Sequence, residues 1–156
     1  MNIGILGAGN IAGSMARTIC GMAAQGRPVT LYAVASRSQE KADAFAKAYG
    51  IPRAYGSYAA MLNDPLVELV YIATPHSHHA EQIRQCVAAG KPVLCEKSFT
   101  ANAKQAEDVL REAEAAGGYV AEAIWTRYMP ARGMIAEDRK GVVVGKECRG
   151  RGSRDA

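Results

Sequence analysis

The chain has 156 residues, 49% of them hydrophobic and 22% charged, the make-up of one soluble globular domain that buries roughly two thirds of its unfolded surface and needs neither disulfides nor a structural metal. No apolar run reaches the length of a membrane span, because the longest are strand-sized and end at glycine, proline or a charge. The net charge is +4, but residues 1–126 carry eleven basic and eleven acidic side chains, so the excess sits in the last thirty residues and no nucleic-acid partner is expected.

Asn2–Leu6 is a short apolar run that breaks at Gly7-Ala8-Gly9, after which Ile11, Met15, Ile19 and Met22 recur at helical spacing. Thr30–Ala35 reads as a second buried strand. Ser38 is placed to cap a helix over Gln39–Tyr49, and Gly50 stops it. A short third strand is expected near Ala54-Tyr55, then a brief helix capped by Ser57 and running to Leu62. Asp64-Pro65 turns the chain into Leu69–Ala73, the most strand-like run present, which Thr74-Pro75 ends. Helical spacing returns from His79 to Ala89, and Val93–Cys95 forms a fifth strand ahead of Glu96-Lys97. Asn102 with Gln105 has the form of a capping box opening a helix that reaches Gly117-Gly118. Tyr119–Ile124 is a sixth strand, followed by Trp125–Pro130 and a last helix. Strands alternate with helices throughout, which requires right-handed crossovers: the fold class is α/β, a doubly wound parallel sheet of Rossmann type. Cys20, Cys86, Cys95 and Cys148 are scattered with no CxxC pair and no signal peptide. They read as reduced thiols of a cytoplasmic protein, three of them serving as small core hydrophobes.

Gly7-Ala8-Gly9-Asn10-Ile11-Ala12 fits the GxGxxG/A fingerprint in its proper setting between a strand and a helix. The first glycine permits the tight turn, the second lets a pyrophosphate approach the backbone, and Ala12 permits close helix packing, so Gly7, Gly9, Asn10 and Ile11 are candidate cofactor contacts at a helix N-terminus. In NAD-specific versions an acid ends the second strand and reads the adenosine ribose. Here Ser36, Arg37 and Ser38 stand there instead, two hydroxyls and a guanidinium suited to a 2′-phosphate; the competing reading makes Arg37 an ordinary surface charge beside a helix cap. Thr74-Pro75-His76-Ser77-His78-His79 follows the fourth strand, where ligands collect in open α/β sheets. Three histidines in four positions raise the question of a metal, but no carboxylate or thiolate stands at a partner spacing, and a polar loop on the cofactor side is the alternative. Glu96-Lys97 follows the fifth strand in the same way. Lys97 reads either as an acid/base group with a pKa lowered by partial burial, or as one half of a surface ion pair with Glu96.

These motifs, together with AAGKPVLCEKS and AIWTRYMP, resemble the glucose-fructose oxidoreductase and inositol dehydrogenase family (Gfo/Idh/MocA) over residues 1 to about 145. VASRS and AEAIWTRYMPA are most similar to its dimeric dihydrodiol dehydrogenase branch, whose members use NADP. The family's EKP motif is Glu96-Lys97-Ser98 here, without the proline. The resemblance implies that Lys97 is the catalytic residue positioning substrate and nicotinamide, with Glu96 beside it. It also implies that Thr74, Pro75, His76 and His79 line the cofactor channel, and that Trp125 and Arg127 close over it. It implies a homo-oligomer acting on a small molecule, with a second α/β domain carrying the substrate pocket.

The expected organisation is therefore a dinucleotide-binding Rossmann domain over 1–124, the start of a connection to a missing or truncated substrate domain over 125–147, and an atypical, disordered tail over 148–156. A frameshift, a truncated gene or a cut chain would each give such an ending. The function implied is hydride transfer between NADP, or else NAD, and a secondary alcohol of a diol, polyol or sugar, this chain alone being inactive. A non-catalytic NADP-binding module is the alternative, and retention of Lys97 speaks for the first reading.

Overall fold

Six short runs, β1 (Asn2–Leu6), β2 (Thr30–Ala35), β3 (Arg53–Tyr55), β4 (Leu69–Ile72), β5 (Val93–Cys95) and β6 (Val120–Glu122), pair as one sheet. This is a computed structural model describing residues 1–130 and 132–135. Every pairing is parallel and the strand order is β3-β2-β1-β4-β5-β6, the doubly wound order of a Rossmann sheet. The connection from β3 to β4 passes to the far side of β1, so the loops leaving β1 and β4 diverge at the carboxyl edge and open a crevice there.

Successive strand residues face opposite sides and feed two cores. On one face Ile3, Ile5, Leu31, Val34 and Tyr71 pack against α1 (Asn10–Ala24) and α2 (Gln39–Tyr49). On the other, Leu6, Ala33, Val70, Ile72 and Val93 pack against α3 (Tyr58–Leu62), α4 (His79–Ala88) and α5 (Ala103–Ala115). Three caps hold as the sequence predicts: the Ser38, Ser57 and Asn102 side chains accept from the amides of Lys41, Ala60 and Gln105 at 3.3, 3.2 and 2.9 Å. Gly50 ends α2 in the left-handed region at φ 67°. Gln105 reaches back to the amide of Ala101, one residue before the cap.

Helical spacing finds α1 and part of its inward face, with Ile19 buried and Met15 half-buried against the core. Ile11 and Met22 are exposed at 47% and 38%, whereas Ala12, Gly13, Ala16 and Ile19 are buried. The small residues Ala12, Gly13 and Ala16 let the helix lie close on the sheet, which leaves Ile11 and Met22 outside. Of the cysteines, Cys86 and Cys95 are buried and Cys20 is exposed. Burial pushes both buried thiols up to about 12, so they behave as small hydrophobes. Cys148, the run Gly141–Glu147, the Cys148–Ala156 tail and most of the helix expected after Pro130 lie outside the described residues. A first compact unit comprises Met1–Ala123, and the chain from Ile124 onward falls in a second.

Candidate functional site

Gly7 takes φ 105°, and a Cβ there would lie 2.9 Å from the Ala73 carbonyl oxygen. Its amide donates to the Ala35 carbonyl at 2.9 Å, and the Ala73 amide donates to Leu6 at 2.8 Å. The first glycine thus lets the chain turn while packed between the ends of β2 and β4. Gly9 is different. It is the N-cap of α1 with φ −100°, a conformation open to any residue, and nothing lies within 4 Å of where its Cβ would be. Among the described residues no neighbour requires a glycine at this point. Its bare backbone borders an open groove of about 370 Å³ lined by Asn10, Gly13, Ser14 and Arg17. The first turn of α1 carries no acidic residue and Gly9 supplies no side-chain cap, so the amides of that turn and the helix dipole remain available to an anion. This geometry fits a diphosphate.

At the end of β2 the Ser36 amide donates to Tyr55 at 3.0 Å. The Ser36 and Ser38 hydroxyl oxygens accept from the amides of Ser38 and Lys41 at 3.5 and 3.3 Å, which leaves each hydroxyl proton free to be donated. Arg37 between them is exposed and makes no hydrogen bond or ion pair among the described residues. It borders a second groove of about 760 Å³ with Tyr58 and Leu62 of α3 and Gln85 of α4. Burial raises the Tyr58 hydroxyl, an effect the nearby Arg37 charge reduces.

Beyond β4, Pro75 and His76 are exposed at the carboxyl edge, His76–His78 forming one 3-10 turn before α4. The Thr74 hydroxyl donates to Gln82. His79 is only 1% exposed, with Nδ1 2.9 Å from the Ser98 carbonyl and Nε2 2.8 Å from the Thr74 carbonyl. Its ring thus supports the loop from beneath, both nitrogens occupied. Among the described residues no three His, Cys, Asp or Glu side chains gather as a metal-holding group.

Beyond β5 the Glu96–Lys97 ion pair, one of the two readings of this dipeptide, does not form among the described residues. Glu96 accepts from the hydroxyl of buried Tyr71 through Oε1 and from the Lys97 amide through Oε2 at 3.0 Å. Burial, then that carboxylate, drives the Tyr71 hydroxyl far above its ordinary range, so Tyr71 stays a donor. Lys97 is exposed and its amine has no partner among the described residues; the partial burial expected for it is absent because no described side chain covers it. The peptide bond between Lys97 and Ser98 is cis. Sequence reasoning missed Tyr71, which read as core in a strand, along with Gln82 and the Ser98 carbonyl. A tyrosine in an otherwise aliphatic buried strand, whose hydroxyl requires a partner, was the one available signal.

Gly7, Gly9, Ser36, Arg37, Ser38, Thr74, Pro75, His76, Glu96 and Lys97 belong to the segments leaving β1, β2, β4 and β5, and Asn10 and Ile11 to the first turn of α1, along one edge of the sheet. Trp125 lies in the second unit, in the 3-10 turn Trp125–Tyr128; the side chain of Arg127 lies outside the described residues.

An α/β chain with this strand order and a glycine turn at the switch point is a Rossmann dinucleotide-binding domain. Residues 1–123 match the family model described as an oxidoreductase family with an NAD-binding Rossmann fold. The chain belongs to that Gfo/Idh/MocA family. It is 40% identical over 134 residues to a mouse trans-1,2-dihydrobenzene-1,2-diol dehydrogenase, covering 86% of this chain and 40% of the relative. To the D-xylose 1-dehydrogenase (NADP(+)) of Hypocrea jecorina it is 37% identical over 142 residues, covering 86% and 36%. Its structure resembles KijD10, a 3-ketoreductase from Actinomadura kijaniata solved with NADP, at TM-score 0.80 and 27% identity, covering 90% of this chain and 44% of that one. The chain spans about two fifths of the length of these relatives. No helix among the described residues is long and apolar enough to cross a membrane.

Proposed function

We propose that Met1–Ala123 binds NADP in preference to NAD and is the cofactor half of a dehydrogenase acting on a secondary alcohol of a diol, polyol or sugar. The observation that carries this is the end of β2: a free guanidinium flanked by two hydroxyls, with no acid to read a bare ribose. Two relatives support it, the xylose dehydrogenase by its NADP(+) name and KijD10 by its bound NADP.

In this reading the Gly9 backbone and the first turn of α1 hold the diphosphate, with Asn10 and Ile11 beside it. Ser36, Arg37 and Ser38 hold the 2′-phosphate, Arg37 by two parallel bonds. Thr74, Pro75 and His76 border the nicotinamide side. When bound, the dinucleotide supplies the hydride acceptor or donor. Lys97 handles the proton: its amine takes one from the substrate hydroxyl as the carbonyl forms, or its ammonium returns one in reverse. Glu96 fixes the Lys97 backbone and leaves the amine free. Covering roles for Trp125 and Arg127, homo-oligomeric assembly, cytoplasmic residence and a separate substrate-holding domain complete the reading and rest on family resemblance or, for residence, on cysteine usage.

The test is a paired titration with NADPH and NADH at low salt. A charge-assisted, bidentate contact contributes on the order of 1.5–3 kcal/mol, roughly a tenfold to hundredfold preference for NADPH. Arg37→Ala is expected to erase most of that preference, and rising salt to shrink it. Equal affinity for the two cofactors would refute the role of Ser36 and Arg37.

A further inference from the structure

We infer that His79 is a positioning residue that fastens the turn carrying Lys97 to the loop leaving β4, so that an event at one is felt at the other. The ring is buried between two carbonyl oxygens, Thr74 at 2.8 Å and Ser98 at 2.9 Å. Carbonyls only accept, so each contact is a hydrogen bond only where the facing nitrogen carries a proton: the doubly protonated ring makes both bonds and a neutral ring makes one. Thr74 is gripped a second time from the same helix, its hydroxyl donating to buried Gln82 one turn beyond His79. On the other side of the clamp, Ser98 directly follows Lys97. The Lys97 turn has a separate tether through Glu96 to Tyr71 of β4, and the Phe99 amide donates to Glu122 of β6 at 2.9 Å. Of these attachments, only the His79 ring joins the turn to the 74–76 loop. A ring so enclosed has no nitrogen left for a ligand, so its contribution to the reaction is the placement of Lys97.

The two ring contacts stand on the protein alone; the consequence, that occupancy at 74–76 steadies Lys97, rests on the dinucleotide reading above. The test is hydrogen exchange on the full chain, wild type against His79→Phe, each with and without NADPH. Without cofactor, the amides of 96–100 are expected to exchange roughly tenfold faster in the variant, the loss of about one hydrogen bond, while 2–6 and 69–72 keep wild-type rates. With NADPH, wild type slows at 7–13, 74–76 and 96–100; the variant slows at the first two alone. Unchanged cofactor-free exchange at 96–100 in a folded variant, or NADPH protection there that survives the substitution, overturns the proposal. Absence of any NADPH protection at 7–13 in wild type overturns the dinucleotide reading instead, and the cofactor-free arm still decides the clamp. If His79→Phe speeds exchange throughout, His79→Gln serves in its place: faster exchange at 96–100 with wild-type rates at 2–6 and 69–72 supports the clamp, while a wild-type rate at 96–100 contradicts it.

Discussion

Among the described residues the turn after β1 is hydrogen-bonded through backbone alone. Gly7 donates to Ala35 and leaves room for the Ala73 carbonyl, and Gly9 then starts α1 with nothing packed against it. The turn after β5 is held by side chains from other elements, Tyr71 on Glu96 and His79 on Ser98, partners 25 and 19 residues apart in the chain. A turn that presents bare amides to a ligand cannot fill its own space with side chains. In the proposed reading a turn that presents one long amine is anchored through everything except that amine, and the Lys97 amine has no partner among the described residues.

The largest expected effect separates the two glycines of the first turn. Gly7→Ala places a Cβ at positive φ and against the Ala73 carbonyl, and should cost about 2–4 kcal/mol in urea unfolding. Gly9→Ala meets no protein atom and should cost less than about 1 kcal/mol. Equal losses would break the distinction between a glycine required by the fold and one required by a ligand.

At the second turn, Tyr71→Phe removes the hydroxyl from Glu96 and leaves a half-buried carboxylate with its amide contact only. A loss of about 1–2 kcal/mol is expected, with faster exchange at 96–100 and no change at 7–13. Wild-type exchange at 96–100 would show that the carboxylate needs no tether.

The smallest effect lies away from both turns and serves as their control. The hydroxyls of Tyr55 and Tyr32 donate to Asp64 at 2.6 and 3.1 Å, and the Leu66 amide at 2.9 Å. The Tyr55 bond, more than any other contact, holds the Asp64 carboxyl below its usual range, while burial and Asp64 push the Tyr55 hydroxyl up to about 12. Because the folded value is the lower one, this contribution is present above the ordinary carboxylate range and is lost as pH falls through the folded value. Asp64 is half-exposed, so Asp64→Asn should flatten acid-side stability by less than about 1 kcal/mol. Cofactor affinity at neutral pH is expected to stay the same.

What the sequence made legible follows the same division. Gly7, Gly9 and the caps Ser38, Ser57 and Asn102 act on neighbours within a few residues, and each appears where local chemistry predicted it. The Glu96–Lys97 dipeptide leaves two readings open, an acid/base amine or a surface ion pair, because adjacency is all that a sequence shows there, and the tyrosine on another strand that takes the carboxylate is out of its reach. The spacing marks Ile19 on the inward face of α1 but not Ala12 and Ala16, because close packing on a sheet selects small residues over Ile11 and size alone points the other way.

The most direct test of the account is a calorimetric titration of wild type and Gly9→Ala with NADPH, each variant's unfolding free energy measured alongside. The account predicts that wild type binds and that Gly9→Ala keeps its stability to within about 1 kcal/mol while losing roughly tenfold or more in affinity, because a methyl group then occupies the approach to the diphosphate. A wild type that does not bind, or a Gly9→Ala chain that binds equally well, would contradict it.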